Sequence, residues 1–358
     1  MPSLKEIKGR INSISSTLAI TSAMKMVASA KLQKAQMAIV NMLAYERRLY
    51  SMLVDLMGAM NISAAASEDG SVRGSGSAER GFDQSGDRLS LSNRHDLAGM
   101  DGAYSLMAQR EVRKVAIVAF ASNSSLCGAF NSNVIREATA VINEYRASGL
   151  GDADITVYSV GRKMAEAMKK LGFPSPADFT KMSDSPSYDA ASALAQELFD
   201  GFVSGRFDKV ELVYNHYKST SSQPTTRQTY LPLSLADAIA DLQAGKITDS
   251  ASETDTNRVA EPVGAPVVRQ GSPTTEDLIV EPSKEALIAT LLPKVIRLRI
   301  FTTLLDSAAA EHAARTVAMQ LATDNGNDLL QELTLEYNKG RQQKITSEIL
   351  DLVGGSMQ

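Results

Sequence analysis

The sequence predicts an α/β protein in which the N- and C-terminal helices form a long antiparallel coiled coil and a Rossmann-like, doubly wound α/β domain is inserted between them. Three observations support this: a heptad pattern near the N-terminus, a long helical stretch at the C-terminus, and alternating strand and helix patterns between them. A helix of about 70 residues is roughly 100 Å long, so one globular core cannot bury it. Each terminal helix therefore needs a partner of similar length, and the other one supplies it.

Residues 1–60 are predicted to form the N-terminal shaft helix. Apolar residues recur at alternating steps of three and four, as in a heptad seam. The seam positions are Leu4, Ile7, Ile11, Ile14, Leu18, Ala28, Leu32, Ala35, Ile39, Met42, Leu49, Leu53, Leu56 and Met60. Thr21, Lys25 and Glu46 break the seam. Because the first two breaks are adjacent, we expect the helix to fit its partner poorly there and to face something else.

Residues 283–358 are predicted to form the C-terminal shaft helix. No proline follows Pro293, and the pair Gly354-Gly355 is expected to end the helix. Small residues that would let another helix approach closely are Ala308, Ala309, Ala310, Ala313 and Ala314. His312 and Arg315 lie among them and are expected to make polar contacts. The alternative is that both long helices belong to a helical bundle, but the middle of the chain offers no third long helix.

Residues 112–240 are predicted to form the α/β domain. Strands are expected at 114–120, 154–160, 207–217 and 228–233, and helices at 131–148, 162–171 and 187–203. Alternation of this kind indicates a mostly parallel sheet covered on both faces. Two flanking segments without periodicity, 61–111 and 241–282, are predicted to be loops or loosely packed insertions, the second ending in a short strand at 278–282.

Bulk composition restricts the classes of function. A formal net charge of −4 and a pI near 5.6 argue against a general nucleic-acid binder. Lys and Arg nonetheless far outnumber acids in the first 48 residues, which predicts an acidic partner surface. Cys127 is the only cysteine, so an intrachain disulfide is excluded and a reducing compartment fits. Neither a membrane-spanning run nor the apolar core of a signal peptide is present, and no transit segment is expected, so membrane association is expected through partners.

The α/β pattern raises the question of a nucleotide site or an active site. The first strand-to-helix connection, residues 121–131, has one glycine and neither GxGxxG nor GxxxxGK[ST], so dinucleotide binding is not predicted. Cys127 would need a nearby base to act as a nucleophile, and no histidine stands in the context of a known catalytic pair. The histidines are His95, His216 and His312. A buried structural thiol is therefore predicted, with no catalytic, cofactor-binding or metal-ligating residue.

Several motifs resemble those of the gamma subunit of F-type ATP synthases, of the bacterial type. The N-terminal motif is Ile20-Thr21-Ser22-Ala23-Met24-Lys25-Met26-Val27-Ala28-Ser29-Ala30-Lys31-Leu32, and the central one is Leu126-Cys127-Gly128-Ala129-Phe130-Asn131. The C-terminal motifs lie at 311–315, 322–326, 333–339, 341–342 and 345–349. They stand in the family's order and cover both ends and the middle of the chain.

The resemblance implies the central rotor stalk of the ATP synthase, a non-catalytic subunit present in one copy per complex. Such a subunit couples proton flow through the membrane c-ring to conformational cycling of the catalytic beta subunits, in ATP synthesis and in reversible hydrolysis. The implied partners are the alpha and beta subunits of the catalytic hexamer, the epsilon subunit and the c-ring, with no nucleic acid, no cofactor and no direct membrane insertion. The implied location is peripheral, on the cytoplasmic face of the bacterial inner membrane.

Matched residue by residue, the resemblance implies beta-subunit contacts at Met24, Lys25, Lys31, Arg341, Gln342 and Thr346. Met24 would be an apolar contact with the acidic lever segment of beta, and Lys25 and Lys31 would supply charge, although some relatives carry an acid at the position of Lys25. The other three match residues near the tip that hydrogen-bond to a loop of beta.

The chain departs from the family's pattern in three places. Both insertions exceed the family core, and Ser124-Ser125 replaces a charged residue and glycine. The regulatory dithiol of chloroplast relatives is impossible with one cysteine. Two other functions stay open: a small-molecule enzyme, which requires a ligand-sized apolar pocket with converging polar groups, and a coiled-coil scaffold that dimerises through the seam.

Overall fold

The computed structural model describes residues 3–68, 106, 110–233 and 283–356. It combines two long terminal helices with a four-stranded mixed sheet. The elements in chain order are α1 (Leu4–Glu68), β1 (Val115–Phe120), α2 (Phe130–Ala147), a 3-10 turn (Asp152–Asp154), β2 (Ile155–Val160), α3 (Arg162–Lys170), α4 (Thr180–Asp184), α5 (Tyr188–Val203), β3 (Lys209–Asn215), β4 (Thr225–Leu231) and α6 (Lys284–Ser356).

The two long helices run antiparallel along each other. α1 has 65 residues and α6 has 73. Lys25 of α1 bonds to Gln320 of α6, whereas Tyr50, further along α1, bonds to Arg299, which comes earlier in α6. Every predicted seam position from Leu4 to Leu56 is buried or half-buried, including the three breaks. The period of the seam was therefore predicted correctly.

Both ends of the helices differ from the expected limits. α1 continues past position 60 to Glu68, so the first residues of the predicted 61–111 insertion are helical; the run Ala64-Ala65-Ala66 explains this, because alanine is the best helix former. α6 continues through Gly354 and Gly355 to Ser356, so the expected stop was wrong. Glycine in a helix costs only about 1 kcal/mol relative to alanine and does not end it without a change of backbone direction. The predicted insertion 241–282, with its strand at 278–282, lies outside the described residues.

The sheet has the strand order β2-β1-β3-β4. β1 pairs in parallel with β2 and β3, and β4 is antiparallel to β3, so the mostly parallel prediction is confirmed. The strands fall at the predicted places with shifted limits; β4 begins three residues before the predicted 228, and β3 ends at Asn215 instead of 217. The five-residue helix α4 was not predicted, because it is too short for a helical period to show.

Helices cover both faces of the sheet. Side chains alternate along a strand, so Ala116, Val118 and Phe120 of β1 pack with the core that α1, α5 and α6 share. Val115, Ile117 and Ala119 pack with α2 and α3 on the opposite face. The N-terminal part of α6 belongs to the first core through residues such as Ile288, Leu292, Ile296, Ile300 and Leu304. α6 is thus a layer of the α/β domain at one end and half of the helical pair at the other.

Candidate functional site at the junction of the long helices and the sheet

The loop after β1, residues 121–131, carries the central motif and is held together by its own polar side chains. The side chain of Asn131 accepts a hydrogen bond from Ser122 N at 3.0 Å, and its amide nitrogen lies 3.1 Å from Cys127 Sγ. Cys127 is 1% exposed and packs with Phe130 and with Ala310 of α6. The thiol is therefore buried, as predicted, and part of the packing between the loop and the long helix.

Asn123 closes the edge of the sheet where β1 and β2 end. Its side-chain oxygen accepts from Arg162 N at 2.7 Å, and its amide group donates to Thr180 O at 2.7 Å. Gly161, at the start of α3, has φ +96°, and a Cβ on it would lie 2.1 Å from Ala121 O. In open parallel sheets, ligands bind at this edge. Here the chain's own side chains and backbone fill it.

The stripe of small residues on α6 packs in two directions. Ala309 and Ala313 pack with Leu32 of α1, whereas Ala310 packs with Cys127 and Phe130. The predicted close approach is confirmed, and the α/β domain uses it as well as the partner helix.

Of the two polar residues in this stripe, only Arg315 makes the expected contact. Its guanidinium donates to Ser124 Oγ at 2.6 Å and pairs with Glu311 at 2.7 Å. His312 Nδ1 is buried and has no hydrogen-bond partner among the residues that the structure describes, so the expected contact is not made there. Burial lowers the pKa of His312 to about 4, and the charges of Arg315 and Lys31 add to this effect.

Glu311 lines a small cavity between α6 and the sheet. Burial raises the pKa of its carboxyl, although Arg315 works in the opposite direction. The cavity holds about 10 Å³ and is also lined by Phe120, Val160, Ser183 and Leu304. That volume suits about one water molecule, whereas small-molecule sites start at about 300 Å³.

The predicted beta contacts on α1 are not all equally free, because Lys25 bonds to α6 whereas Met24 is exposed. Lys25 Nζ donates to Gln320 Oε1 at 2.8 Å, and Thr323 Oγ1 donates to Thr21 Oγ1 at 3.1 Å. The two seam breaks thus form a polar layer against α6, so the expectation that they fit their partner poorly was wrong. Met24 is 40% exposed.

Met24 belongs to a short apolar stripe on the outer side of α1. Ile20 and Val27, four residues before it and three after it, are more than half exposed. This spacing puts the three side chains on one face of the helix. Lys31 follows Val27 by four residues and is also exposed, which places a positive charge at the end of the stripe.

The predicted contacts on α6 lie at its far end. Gly340 packs against Leu4, so residues 341–356, the tip, extend about 24 Å past the start of α1 as a single helix. Arg341, Gln342 and Thr346 are all exposed there. Arg341 is 21 residues beyond Gln320, the level of Lys25, so about 30 Å separates the two groups of predicted contacts along the axis. The structure does not bring the two groups together.

Sequence reasoning missed the polar residues that hold the junction, namely Asn123, Asn131 and Asp306. The two asparagines flank a strand-to-helix connection, where such side chains commonly bond to the backbone. Asp306 is the only charged residue between Arg299 and Glu311, which was the available signal. No helix among the described residues has a stretch long and apolar enough to cross a membrane.

Residues 3–357 match the family model described as ATP synthase. A gamma chain of ATP synthase from Phocaeicola vulgatus is 48% identical over 357 residues, with 100% of both chains covered. The gamma chain from Bacteroides thetaiotaomicron is 45% identical over 358 residues, again with full coverage of both. The gamma chain from Flavobacterium psychrophilum is 34% identical and covers 99% of this chain and 98% of its own.

Solved structures agree at the level of the fold. A chain of the Euglena gracilis mitochondrial ATP synthase, in a structure of OSCP, F1 and c-ring, matches with a TM-score of 0.53 and 18% identity, over 99% of this chain and 93% of its own. A chain of the rotor of the same enzyme matches with a TM-score of 0.50 and 18% identity. The match covers 96% of this chain and 98% of the rotor chain. On the full-length match to the family model and the relatives, the chain belongs to the ATP synthase gamma-chain family.

Proposed function

We propose that this chain is the central rotor stalk of an F-type ATP synthase. It couples proton flow through the c-ring to conformational cycling of the catalytic beta subunits and carries no catalytic group itself. The observation that carries the proposal is the match to gamma chains over the whole length of the sequence. The course of α6 supports it, because one uninterrupted helix leads from the core of the α/β domain to an exposed tip.

The rotor acts by differential contact. A ligand or partner shifts a conformational equilibrium only by the difference between its interaction free energies with the two states. The helical pair presents different side chains around its circumference, with the apolar stripe of Ile20, Met24 and Val27 on one side of α1. As the pair turns, each beta subunit meets a different surface and favours a different state.

On this proposal, the contacts with beta form two groups at different heights along the helical pair, a lower one on α1 and an upper one at the tip of α6. At the lower level, Met24 makes the apolar contact and Lys31 faces the acidic lever segment. Lys25 acts there through a side chain that Gln320 holds in place. At the tip, Arg341 and Gln342 hydrogen-bond to a loop of beta. Thr346, whose hydroxyl donates to Gln342 O at 2.9 Å, is adjacent to them.

The finer architecture belongs to the same proposal. The shaft is an antiparallel coiled coil of the N-terminal helix (1–60 and its continuation to Glu68) and residues 283–358. Residues 112–240 form a Rossmann-like, doubly wound domain at its foot, and 61–111 and 241–282 are insertions. The foot contacts the epsilon subunit and the c-ring, and the shaft lies within the hexamer of alpha and beta subunits. One copy per complex sits on the cytoplasmic face of the bacterial inner membrane, held there through partners.

The two alternatives fit the structure less well. A small-molecule enzyme would use the sheet edge after β1, which Asn123 and Gly161 close, and the cavity beside Glu311 has room for about one water molecule. A scaffold that dimerises through the seam would have to displace α6, which already covers the seam.

Reconstitution tests the proposal. The purified chain is mixed with alpha and beta subunits of the same source, and assembly and ATP hydrolysis are measured with and without it. The expected result is a complex with one copy per hexamer and a turnover that depends on the chain. Absence of a complex, together with an unchanged turnover, would reject the rotor function.

A further inference from the structure

The turn between β3 and β4, residues 216–224, is hydrogen-bonded to a single carboxylate of α6, that of Asp306. His216 Nδ1 is 2.6 Å from Asp306 Oδ2, and Tyr217 N donates to Asp306 Oδ1 at 2.8 Å. A carboxylate accepts hydrogen bonds through both oxygens, so Asp306 fixes two successive residues of the turn at once. The turn therefore has a fixed position on the long helix.

Tyr217 extends from this turn to the other long helix. Its hydroxyl accepts a hydrogen bond from Gln36 Nε2 of α1 at 2.5 Å. Tyr217 also packs against two buried clusters: Leu32, Ala309 and Ala313, where α1 and α6 meet, and Cys127, Phe130 and Ala310, where the loop after β1 meets α6. One side chain thus contacts α1, α6 and the α/β domain.

The base of the turn is anchored in the α/β domain. Asn215, the last residue of β3, donates through its amide group to Phe130 O at 3.0 Å. Its side-chain oxygen accepts from Thr225 Oγ1 at 2.7 Å, which ties together the two strands that flank the turn. Asn215 is 1% exposed. Hydrogen bonds thus connect the base of the turn that carries Tyr217 to the strands of the sheet and to the loop after β1.

The two long helices differ in how they are joined to the domain. The backbone of α6 runs without interruption from the core of the domain into the helical pair, so rotation of the domain turns α6 directly. Among the described residues, the path from the domain to α1 runs through side chains, which include Leu49, Tyr50, Leu53 and Leu56 in the core that the sheet and α6 share. The bond from Gln36 to Tyr217 lies on that path.

We propose that Tyr217 is a positioning residue that couples α1 to the α/β domain, so that both helices turn with it as one body. This inference rests on the rotor function proposed above and adds a route by which torque enters the second helix. Asp306 holds the turn on α6, and the hydroxyl of Tyr217 holds α1 against it.

The test uses Tyr217→Phe in the complete complex with alpha and beta subunits, because this change keeps the ring and removes only the hydroxyl. The hexamer is fixed to a surface, nucleotide is withheld so that the rotor does not turn, and a bead is attached to the foot through Ala140→Cys. Ala140 is exposed on α2, and the native Cys127 is buried, so labelling is specific. The angular variance of the bead measures the torsional stiffness between foot and hexamer.

We expect a larger angular variance in Tyr217→Phe than in the unmodified chain. Backbone amide exchange in α1 around Gln36 should rise about fivefold, as expected for the loss of one hydrogen bond. The matched control is Tyr188→Phe, a half-exposed tyrosine of α5 in the same domain. Gln36→Leu removes the donor of the same hydrogen bond and should raise the angular variance as much as Tyr217→Phe does. The double variant should show little further increase in variance.

The outcomes separate the two proposals. If the unmodified chain does not assemble with alpha and beta subunits, the rotor function fails. If it assembles and supports hydrolysis, but Tyr217→Phe and Gln36→Leu leave the angular variance at the level of Tyr188→Phe, the rotor function stands and the role of Tyr217 is rejected.

Discussion

Lys25 of α1 donates a hydrogen bond to Gln320 of α6, and this contact explains why a charged residue stands at this position of a mostly apolar seam. Thr21, one step earlier in the seam, accepts a hydrogen bond from Thr323 of α6. Polar residues at single seam positions fix which residues of two helices lie opposite each other, at a cost in stability. The layer of Lys25, Gln320, Thr21 and Thr323 thus sets the register of the antiparallel pair.

Removal of one partner from this layer should destabilise the chain more than removal of both. Gln320→Leu leaves Lys25 without its acceptor in a half-buried position, and we expect a loss of about 1 kcal/mol. The double change Lys25→Leu with Gln320→Leu continues the apolar seam and should recover most of this loss. Chemical unfolding of the purified chain, followed by circular dichroism, measures both. A double variant less stable than the single one would contradict this account.

Replacement of Arg341 and Gln342 by alanine should lower coupled ATP synthesis in membranes about tenfold, because hydrogen bonds to charged groups contribute about 1.5–3 kcal/mol. Both side chains are exposed on the tip, so the fold should not change. Lys344→Ala is the matched control, since Lys344 is also exposed there and pairs with Glu348 of the same helix. Unchanged synthesis in the double variant would remove both residues from the set of beta contacts.

The long helices and the places of the strands along the chain were predictable because their signals are local. The spacing of Leu4, Ile7 and Ile11 is visible within one or two turns of helix, and the apolar run of β1 is visible within six residues. The end of α6 was mispredicted, since Gly354 and Gly355 are compatible with a helix as well as with its end.

The junction was not predictable, because its contacts join distant positions. Ser124 and Arg315 are 191 residues apart in the sequence, and His216 and Asp306 are 90 apart. A single sequence gives no measure of such pairing. Thr21 and Lys25 were misinterpreted for the same reason: their polar partners lie on the opposite helix, about 300 positions away, and no local pattern identifies them.

Gly161→Ala should be strongly destabilising. The residue has φ +96°, and the added Cβ would lie 2.1 Å from Ala121 O, which is backbone and cannot turn away. We expect the free energy of unfolding to fall by about 3 kcal/mol or more. Gly172→Ala is the matched control, because its φ is +91° but nothing lies within 4 Å of the added Cβ. That change should cost about 1–2 kcal/mol from backbone strain alone. Equal losses in thermal unfolding would show that the sheet edge at Ala121 can relax.

Stability should depend on His312 between about pH 4 and pH 6.5. Burial lowers the pKa of His312 in the folded chain to about 4, from 6.5 in the unfolded chain. Between these values the unfolded chain binds more protons, so stability rises with pH across the window and is lost as the pH falls through it. Glu311, Arg315 and Lys31 face the same region, and Glu311 has a raised pKa that acts in the opposite direction.

His312→Leu separates the contribution of the histidine from that of Glu311. At pH 7.5 the imidazole is neutral in both states, so the difference between the variant and the unmodified chain there reports packing alone. As the pH falls to 5, the unmodified chain should lose stability relative to the variant, because only its unfolded state gains a proton at position 312. Unfolding midpoints of both chains at the two pH values give this difference. Parallel pH profiles would mean that His312 is protonated equally in the folded and unfolded chain, and that its burial at the junction does not affect its charge.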